Sequence, residues 1–532
     1  MTRREFISAA AASAGAAAVG GNADAAEDVA PDQFELAEVT IGELRAGWAG
    51  GKYTARALVE KYLERIGRMD RTGPALHYVI ETNPDALAVA ERCDAERKAG
   101  KAVGALHGIP LLLKDNLDTG DRMTTTAGSI ALEGTIAAKD AFVVRRLREA
   151  GAVFLGKANL SEWANFRSTH SSSGWSGRGG QAKNPYALDR NPSGSSSGSG
   201  GAVAANFCAA AIGTETDGSV VSPASCCGIV GIKPTIGLVS RAGIVPISHT
   251  QDTAGPMTRT VEDAAILLGV MAARDPVDAA TTRPDRPGAA VDYTAFLKKD
   301  ALKGARIGVG RADVFGFGPP SEAVLSEAIS AMKSAGATVV DPVDFQMMST
   351  INDPELLVLL YEFKAGINAY LAGAGAKMRT LADLIDFNLA HADRAMPFFK
   401  QELFEKAQAK GDLNSAEYRQ ALEKCSGVAK AIDGAMEKNR LDAIVTVTAG
   451  PALLTDLVNG DYSAGGTSTL AAVARYPSIT VPAGFARGLP VGISFTARAF
   501  EEGKIISLAY AFEQITKVRR VPEFLPTVPL SA

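Results

Sequence analysis

Residues 192–224 limit the fold of this chain more than any other stretch. Pro192-Ser193-Gly194-Ser195-Ser196-Ser197-Gly198-Ser199-Gly200-Gly201 runs without a break into an apolar segment, Ala202–Phe207. Gly213-Thr214-Glu215-Thr216-Asp217-Gly218-Ser219-Val220-Val221-Ser222-Pro223-Ala224 follows shortly after. Residues this small allow close backbone approach and tight turns. A flexible linker does not explain the apolar segment attached to it. A phosphate-binding loop should end in G-K-[ST], which is missing here. A third reading makes a serine of the first run a proton shuttle. Upstream, Gly108-Ile109-Pro110-Leu111-Leu112-Leu113-Lys114-Asp115-Asn116 sets a lysine at the end of an apolar strand. One lysine and two serines in this order suggest a serine nucleophile that works without a catalytic histidine.

The surrounding pattern is that of an α/β protein. Leu58, Tyr62 and Ile66 recur at helical spacing, which predicts a helix over 54–68. Asn83-Pro84 predicts a capped helix running to about Lys98, and Asp140 predicts the cap of another that stops at Gly151. Thr260-Val261-Glu262-Asp263 resembles a capping box. Residues 321–335, then Gly336, then Thr338-Val339-Val340 repeat a helix–glycine–strand unit. This alternation predicts an α/β sheet covered by helices on both faces. Residues 274–296 read as a surface connection, and about 355–440 as a mainly helical insertion beside the sheet. Strands return at Asp442-Ala443-Ile444-Val445 and Ser478-Ile479-Thr480-Val481, so residues 26–532 are expected to form a single catalytic domain.

Composition narrows the function classes. Of 532 residues, 46% are hydrophobic and 21% charged, which argues against disorder. The net charge of −4 comes with no block of like charges, so no footprint for nucleic acid or an anionic membrane is expected. Cys93, Cys208, Cys226, Cys227 and Cys425 are odd in number and lack a CxxC, which disfavours a disulfide framework or a zinc site. Cys208 and the Cys226-Cys227 pair read as small buried hydrophobes, although the adjacent pair leaves a strained bridge open. The five histidines are scattered without H-E-x-x-H, so neither metal nor cofactor is expected. At the N-terminus, Arg3-Arg4, an Ala/Gly-rich run and Ala23-Asp24-Ala25 predict a twin-arginine export signal over residues 1–25. The mature chain is then expected to be periplasmic or secreted.

Amide hydrolysis needs a nucleophile, a base and donors for the developing oxyanion. Ser219 is the candidate nucleophile, and the backbone N–H groups of Thr216, Asp217, Gly218 and Ser219 are the candidate oxyanion donors. Burial would disfavour the charged form of Lys114 and make it a base. Taken alone, Lys114 could equally snorkel to water or pair with Asp115.

Together these motifs resemble the amidase signature family. Gly231-Ile232-Lys233-Pro234-Thr235, Asp252-Thr253-Ala254-Gly255-Pro256-Met257, Tyr476-Pro477-Ser478-Ile479-Thr480-Val481-Pro482 and Leu489-Pro490-Val491-Gly492 extend the likeness over residues 35–520. The resemblance implies the amidase-signature fold, a large mixed β-sheet covered on both faces by helices, and a Lys–Ser–Ser triad, with Lys114 as base, Ser195 as bridging serine and Ser219 as nucleophile. It also implies a cis peptide at the bridging serine and supporting hydrogen bonds from Ser196 and Thr214. Where the family often reads D-x-G-G-S-x-R, this chain has Glu215, Asp217 and Val221, so the Asp217 side chain should turn away from the oxyanion site. The wording T-E-T-D-G-S is similar to the peptide amidases of the family, as are Ser161-Glu162-Trp163-Ala164-Asn165-Phe166, Ser173-Gly174-Trp175-Ser176 and Tyr361-Glu362-Phe363-Lys364-Ala365-Gly366. The implied reaction releases ammonia from C-terminal peptide amides. Fatty or aryl amides are the alternative substrates. A glutamine amidotransferase A-type subunit, passing ammonia to a partner, is the alternative of another class. The expected partner is therefore a small amide or peptide substrate, with no obligate protein partner and no stable membrane insertion. The loop 165–173 could face substrate or be purely structural, and pocket-lining residues cannot be read.

Overall fold

A computed structural model of the chain describes residues 34–529, apart from 102–103, 289–290, 312–315, 346–347, 349 and 463–464. The chain divides into two units, Met1–Ala37 and Glu38–Ala532. Only a short turn of the first unit is described, so the export signal expected over residues 1–25 lies outside the described residues. All that follows concerns the second unit.

Its frame is a mixed sheet. The strands in chain order are β1 (Val79–Thr82), β2 (Pro110–Lys114), β3 (Val153–Ala158), β4 (Trp175–Ser176), β5 (Gly180–Gln181), β6 (Ala210–Glu215) and β7 (Val230–Lys233). After them come β8 (Thr253–Thr258), β9 (Arg306–Val309), β10 (Thr338–Val340), β11 (Ala443–Val447), β12 (Ser478–Ala486) and β13 (Leu489–Thr496). Among the described residues eleven of these form one sheet in the order β1-β3-β2-β6-β8-β7-β12-β13-β11-β9-β10, while β4 and β5 pair separately. β2 runs parallel to both β3 and β6, whereas β8, β7, β12 and β13 pair antiparallel. The central strands β2, β3 and β6 are buried along their whole length, as strands covered on both faces must be.

The helices largely follow local sequence. Ala55–Met69 is capped by the Thr54 hydroxyl, and Pro319–Ser334 opens with prolines. Some ends differ from expectation. The helix after Asn83-Pro84 starts only at Ala86; Asn83 Oδ1 accepts from the Asp85 N–H in a turn before it, and Asn83 Nδ2 donates to the Phe154 carbonyl. Asp140 does not cap Phe142–Glu149; its carboxylate accepts from the Gly120 N–H and pairs with Arg148. Thr260 accepts from the Asp263 N–H, but the Asp263 carboxylate turns to the Ile41 N–H, so only half of a capping box forms.

The largest departure lies in the Ser/Gly run, whose second half is a helix, Ser197–Ala204, buried throughout. Its glycines are required by close approach. A Cβ on Gly198 would lie 2.4 Å from the Tyr78 carbonyl oxygen, and one on Gly201 would lie 2.3 Å from the Tyr78 ring. Helix propensity alone does not favour such a sequence; packing against β2, β3, β6 and β8 does.

Beyond β10 come helices Asn352–Gly373, Leu381–Ala390, Ala392–Ala395, Glu402–Gln408 and Ala416–Asn439. Their shared core includes Leu360, Phe363, Ile367, Leu384 and Phe404, joined by Trp163 and Phe166 from beside the site. Asn352–Gly373 has the length and apolar composition of a membrane span, but it packs here against Glu402–Gln408 and Ala416–Asn439.

Candidate active site

Sheet order brings the candidate residues together. β2 ends at Lys114, and its parallel neighbour β6 ends at Glu215, just before the turn that carries Ser219. The loop holding Ser195 leads into the buried helix at Ser197. The Gly194–Ser195 peptide is cis.

Lys114 is 0% exposed. Its Nζ lies 2.7 Å from Ser195 Oγ, 2.9 Å from Thr214 Oγ1 and 3.1 Å from the Thr214 carbonyl oxygen. Burial lowers the amine pKa to about 7, against the opposing pull of the buried acids Glu215 and Asp252. A neutral amine has two N–H donors and one lone pair. Thr214 supplies two acceptors, which leaves the lone pair for the Ser195 O–H. Asn116 Nδ2 donates to the same Thr214 hydroxyl at 2.9 Å and fixes it from the other side.

Ser196 ties this corner together. Its hydroxyl donates to the Thr214 carbonyl at 3.1 Å and accepts from the Thr214 N–H at 3.2 Å. The Ser196 N–H donates to the Ser219 carbonyl at 3.1 Å, which sets the two serine segments side by side. The structure joins Lys114 to Ser195 but forms no hydrogen bond between the Ser195 and Ser219 hydroxyls. Exposure is 0% at Lys114 and Ser195 and 7% at Ser219, so the chain of groups runs from a dry base toward solvent.

The turn itself is built around Gly218, at φ +78°, a left-handed conformation that favours glycine. Among the described residues no backbone carbonyl takes the N–H of Asp217, Gly218 or Ser219. The next two amides are already used: Glu215 Oε2 accepts from Val220 N–H at 2.7 Å and Val221 N–H at 2.9 Å. Glu215 therefore holds the start of helix Val221–Cys226 and leaves the preceding N–H groups available. Thr216 donates its hydroxyl to Asp252 at 2.6 Å, and Asp252 also accepts from the Ile247 and Ser248 N–H groups at 2.8 Å. The Asp217 carboxylate accepts from the Thr469 hydroxyl at 2.6 Å and faces Ser468 and Glu355.

Sequence reasoning missed Asn116, Asp252 and Glu355. The first two stand inside motifs already singled out, so their neighbours pointed to them. Glu355 opens a helix far along the chain, and no local signal ties it to the turn. The loop 165–173 holds Asn165 Nδ2 on Ser173 Oγ at 3.2 Å, and Ser173 N–H on Asp461 at 3.0 Å. Among the described residues no group of three or more His, Cys, Asp or Glu side chains is placed to hold a metal. All five cysteines are free and buried, so Cys226 and Cys227 are unbridged thiols.

The family model described as Amidase matches residues 57–506. The chain belongs to the amidase signature family. It is similar to the native peptide amidase from Stenotrophomonas maltophilia, with 49% identity and a TM-score of 0.88 over 92% of this chain and 99% of that one. An amidase family protein from Bacillus anthracis gives 36% identity and a TM-score of 0.83, covering 92% and 93%. A probable amidase of Arabidopsis thaliana is 44% identical over 92% of this chain and 93% of its own length. This amidase signature protein is thus a C–N hydrolase by family. Its mixed sheet with helices on both faces is the expected amidase-signature fold.

Proposed function

We propose that the enzyme removes the amide from peptide C-termini through an acyl-enzyme on Ser219. The observation that carries the chemistry is the dry contact of 2.7 Å between Lys114 and Ser195. In the reaction Ser219 gives its proton to Ser195 as Ser195 gives its own to neutral Lys114. The Ser219 oxygen attacks the carbonyl carbon, and the N–H groups of the 216–219 turn receive the oxyanion. Collapse breaks the C–N bond, and the proton returns through Ser195 to the departing nitrogen, which leaves as ammonia. Water then cleaves the ester by the same relay, giving the carboxylate and free Ser219. The Ser219–Ser195 hydrogen bond has to form in the reacting complex.

Peptide amides are favoured as substrates by the 49% identity to the Stenotrophomonas enzyme. A second reading comes from a different likeness, 34% identity to the A-type subunit of a Glutamyl-tRNA(Gln) amidotransferase from Thermoanaerobacter pseudethanolicus. One ammonia-release panel separates the two, with peptide amides, fatty amides, anilides and free glutamine as arms. Preference for peptide amides supports the proposal. Turnover of glutamine alone, or of fatty amides or anilides alone, overturns it.

A further inference from the structure

The loop 247–252 sends two side chains to the oxyanion turn, and the proposed reaction gives neither of them a task. The loop leads directly into β8, whose Thr253 pairs with Glu215 at the end of β6. It thus arrives beside the point where the chain leaves the sheet for the 216–219 turn. Thr216, the first residue of that turn, is held at two atoms. Its hydroxyl donates to Asp252 Oδ1 at 2.6 Å, and its carbonyl oxygen accepts from Gln251 Nε2 at 3.4 Å. The second contact bears on the chemistry. The Thr216 carbonyl and the Asp217 N–H belong to one planar trans peptide and point in opposite directions. A donor that fixes the carbonyl therefore fixes the aim of the N–H, which is one of the candidate oxyanion donors.

The loop is itself anchored from outside the sheet. Gln251 is buried, and its Nε2 also donates to Glu355 Oε1 at 2.7 Å. Asp252 Oδ2 closes the loop on itself by accepting from the Ile247 and Ser248 N–H groups at 2.8 Å. About two turns beyond Glu355 on helix Asn352–Gly373 stands Glu362, which is also buried. Glu362 Oε2 accepts from the Ser248 hydroxyl at 2.5 Å, the Thr250 N–H at 3.1 Å and the Thr250 hydroxyl at 3.0 Å. His249 Nδ1 lies 3.4 Å from the same oxygen. Glu362 Oε1 accepts from the Tyr418 hydroxyl of helix Ala416–Asn439 at 2.6 Å. A carboxylate, which only accepts, has room for this set of donors.

We infer that Glu362 positions the oxyanion turn from a distance: it fixes the loop 247–252, and the loop, through Gln251 and Asp252, fixes the Thr216–Asp217 peptide. The inference rests on Ser219 being the nucleophile and on the turn receiving the oxyanion. Glu362, Gln251 and Asp252 act through the turn, so they are positioning residues. Their effect falls on an N–H aimed at charge that develops only during the reaction. It should therefore appear in kcat and spare KM.

The test is ammonia release against amide concentration, on whichever amide is turned over. It compares wild type, Gln251→Met, Glu362→Ala, Glu362→Gln and the double variant Gln251→Met with Glu362→Ala. Gln251→Met keeps the length of the side chain and removes its donor; kcat should fall about tenfold or more with KM nearly unchanged. Glu362→Ala should do the same from farther away. Glu362→Gln keeps an acceptor for Ser248 and Thr250, so its kcat should stay within about threefold of wild type. Both effects run along one path, so the double variant should lose little more than the worse single one, whereas independent effects would multiply. Should Glu362→Ala fail to fold, Ser248→Ala takes its place, with a kcat loss of about threefold or more that again does not multiply with Gln251→Met. Unchanged kcat, a loss confined to KM, no rescue by glutamine, or losses that multiply would overturn the inference. Activity surviving in Ser219→Ala would instead strike the nucleophile assignment on which it rests.

Discussion

At residue scale, the chemistry depends on how little water reaches Lys114. Because burial sets its pKa at about 7, the amine is protonated below that pH and cannot accept the Ser195 proton. The rate should therefore rise with pH through about 7, and kcat/KM against pH checks this. Lys114→Met should lower kcat/KM by about 10³ or more and abolish this rising limb. A variant that keeps the limb would remove the lysine from the relay. Ser219→Ala should release no ammonia and take up no fluorophosphonate label, while keeping the thermal unfolding profile of the wild type. The Lys114–Ser195 contact could be anticipated from sequence because each residue sits in a distinct local motif. The approach of Glu355 to the turn through Gln251 was not legible, because only the folded chain brings position 355 there.

At the scale of elements, the buried helix Ser197–Ala204 shows where reading by composition stops. Ser and Gly favour loops on local grounds, and only the touching backbones of neighbouring strands explain a helix. The same contacts make a prediction. Gly201→Ala forces a Cβ into the Tyr78 ring, so it should destabilise the fold by about 1–3 kcal/mol, read as a lower denaturation midpoint. Gly218→Ala meets both a left-handed φ and Ser468 Oγ at 2.8 Å. It should depress kcat more than stability, since it moves the oxyanion donors. Helices with apolar periodicity, such as Ala55–Met69, were legible to within a residue. The cap at Asp140 was not, because that side chain found other partners, and the helix after Asn83 begins two residues later than its turn. Sequence can list an asparagine's capping options but cannot rank them against a neighbour it does not see.

At the scale of the whole molecule, pairing across long sequence distances defines the frame. β9 and β10 reach the sheet from the middle of the chain, while β12 and β13, with β11, close the gap between them and β7. Alternating helix and strand made the layered class legible, but strand order was beyond reach, since a block of antiparallel pairs sits between parallel ones without a local marker. The N-terminal Arg3-Arg4 pair supports a further proposal, that the chain is exported folded. Arg3→Lys with Arg4→Lys should leave activity in the cytoplasmic fraction, whereas unchanged fractionation would remove that proposal. The inner position of β2, between β3 and β6, has one more consequence. Lys114 is shut off from water, and it touches Ser195, which is buried as deeply, while Ser219 is slightly exposed. A lysine-reactive reagent roaming the exterior will modify the exposed lysines and miss this amine, as it will the equally buried Lys157 and Lys233. Any adduct found on it would mark a molecule that entered by the substrate's own doorway, so electrophiles carried on an amide-like scaffold are the reagents that could reach it.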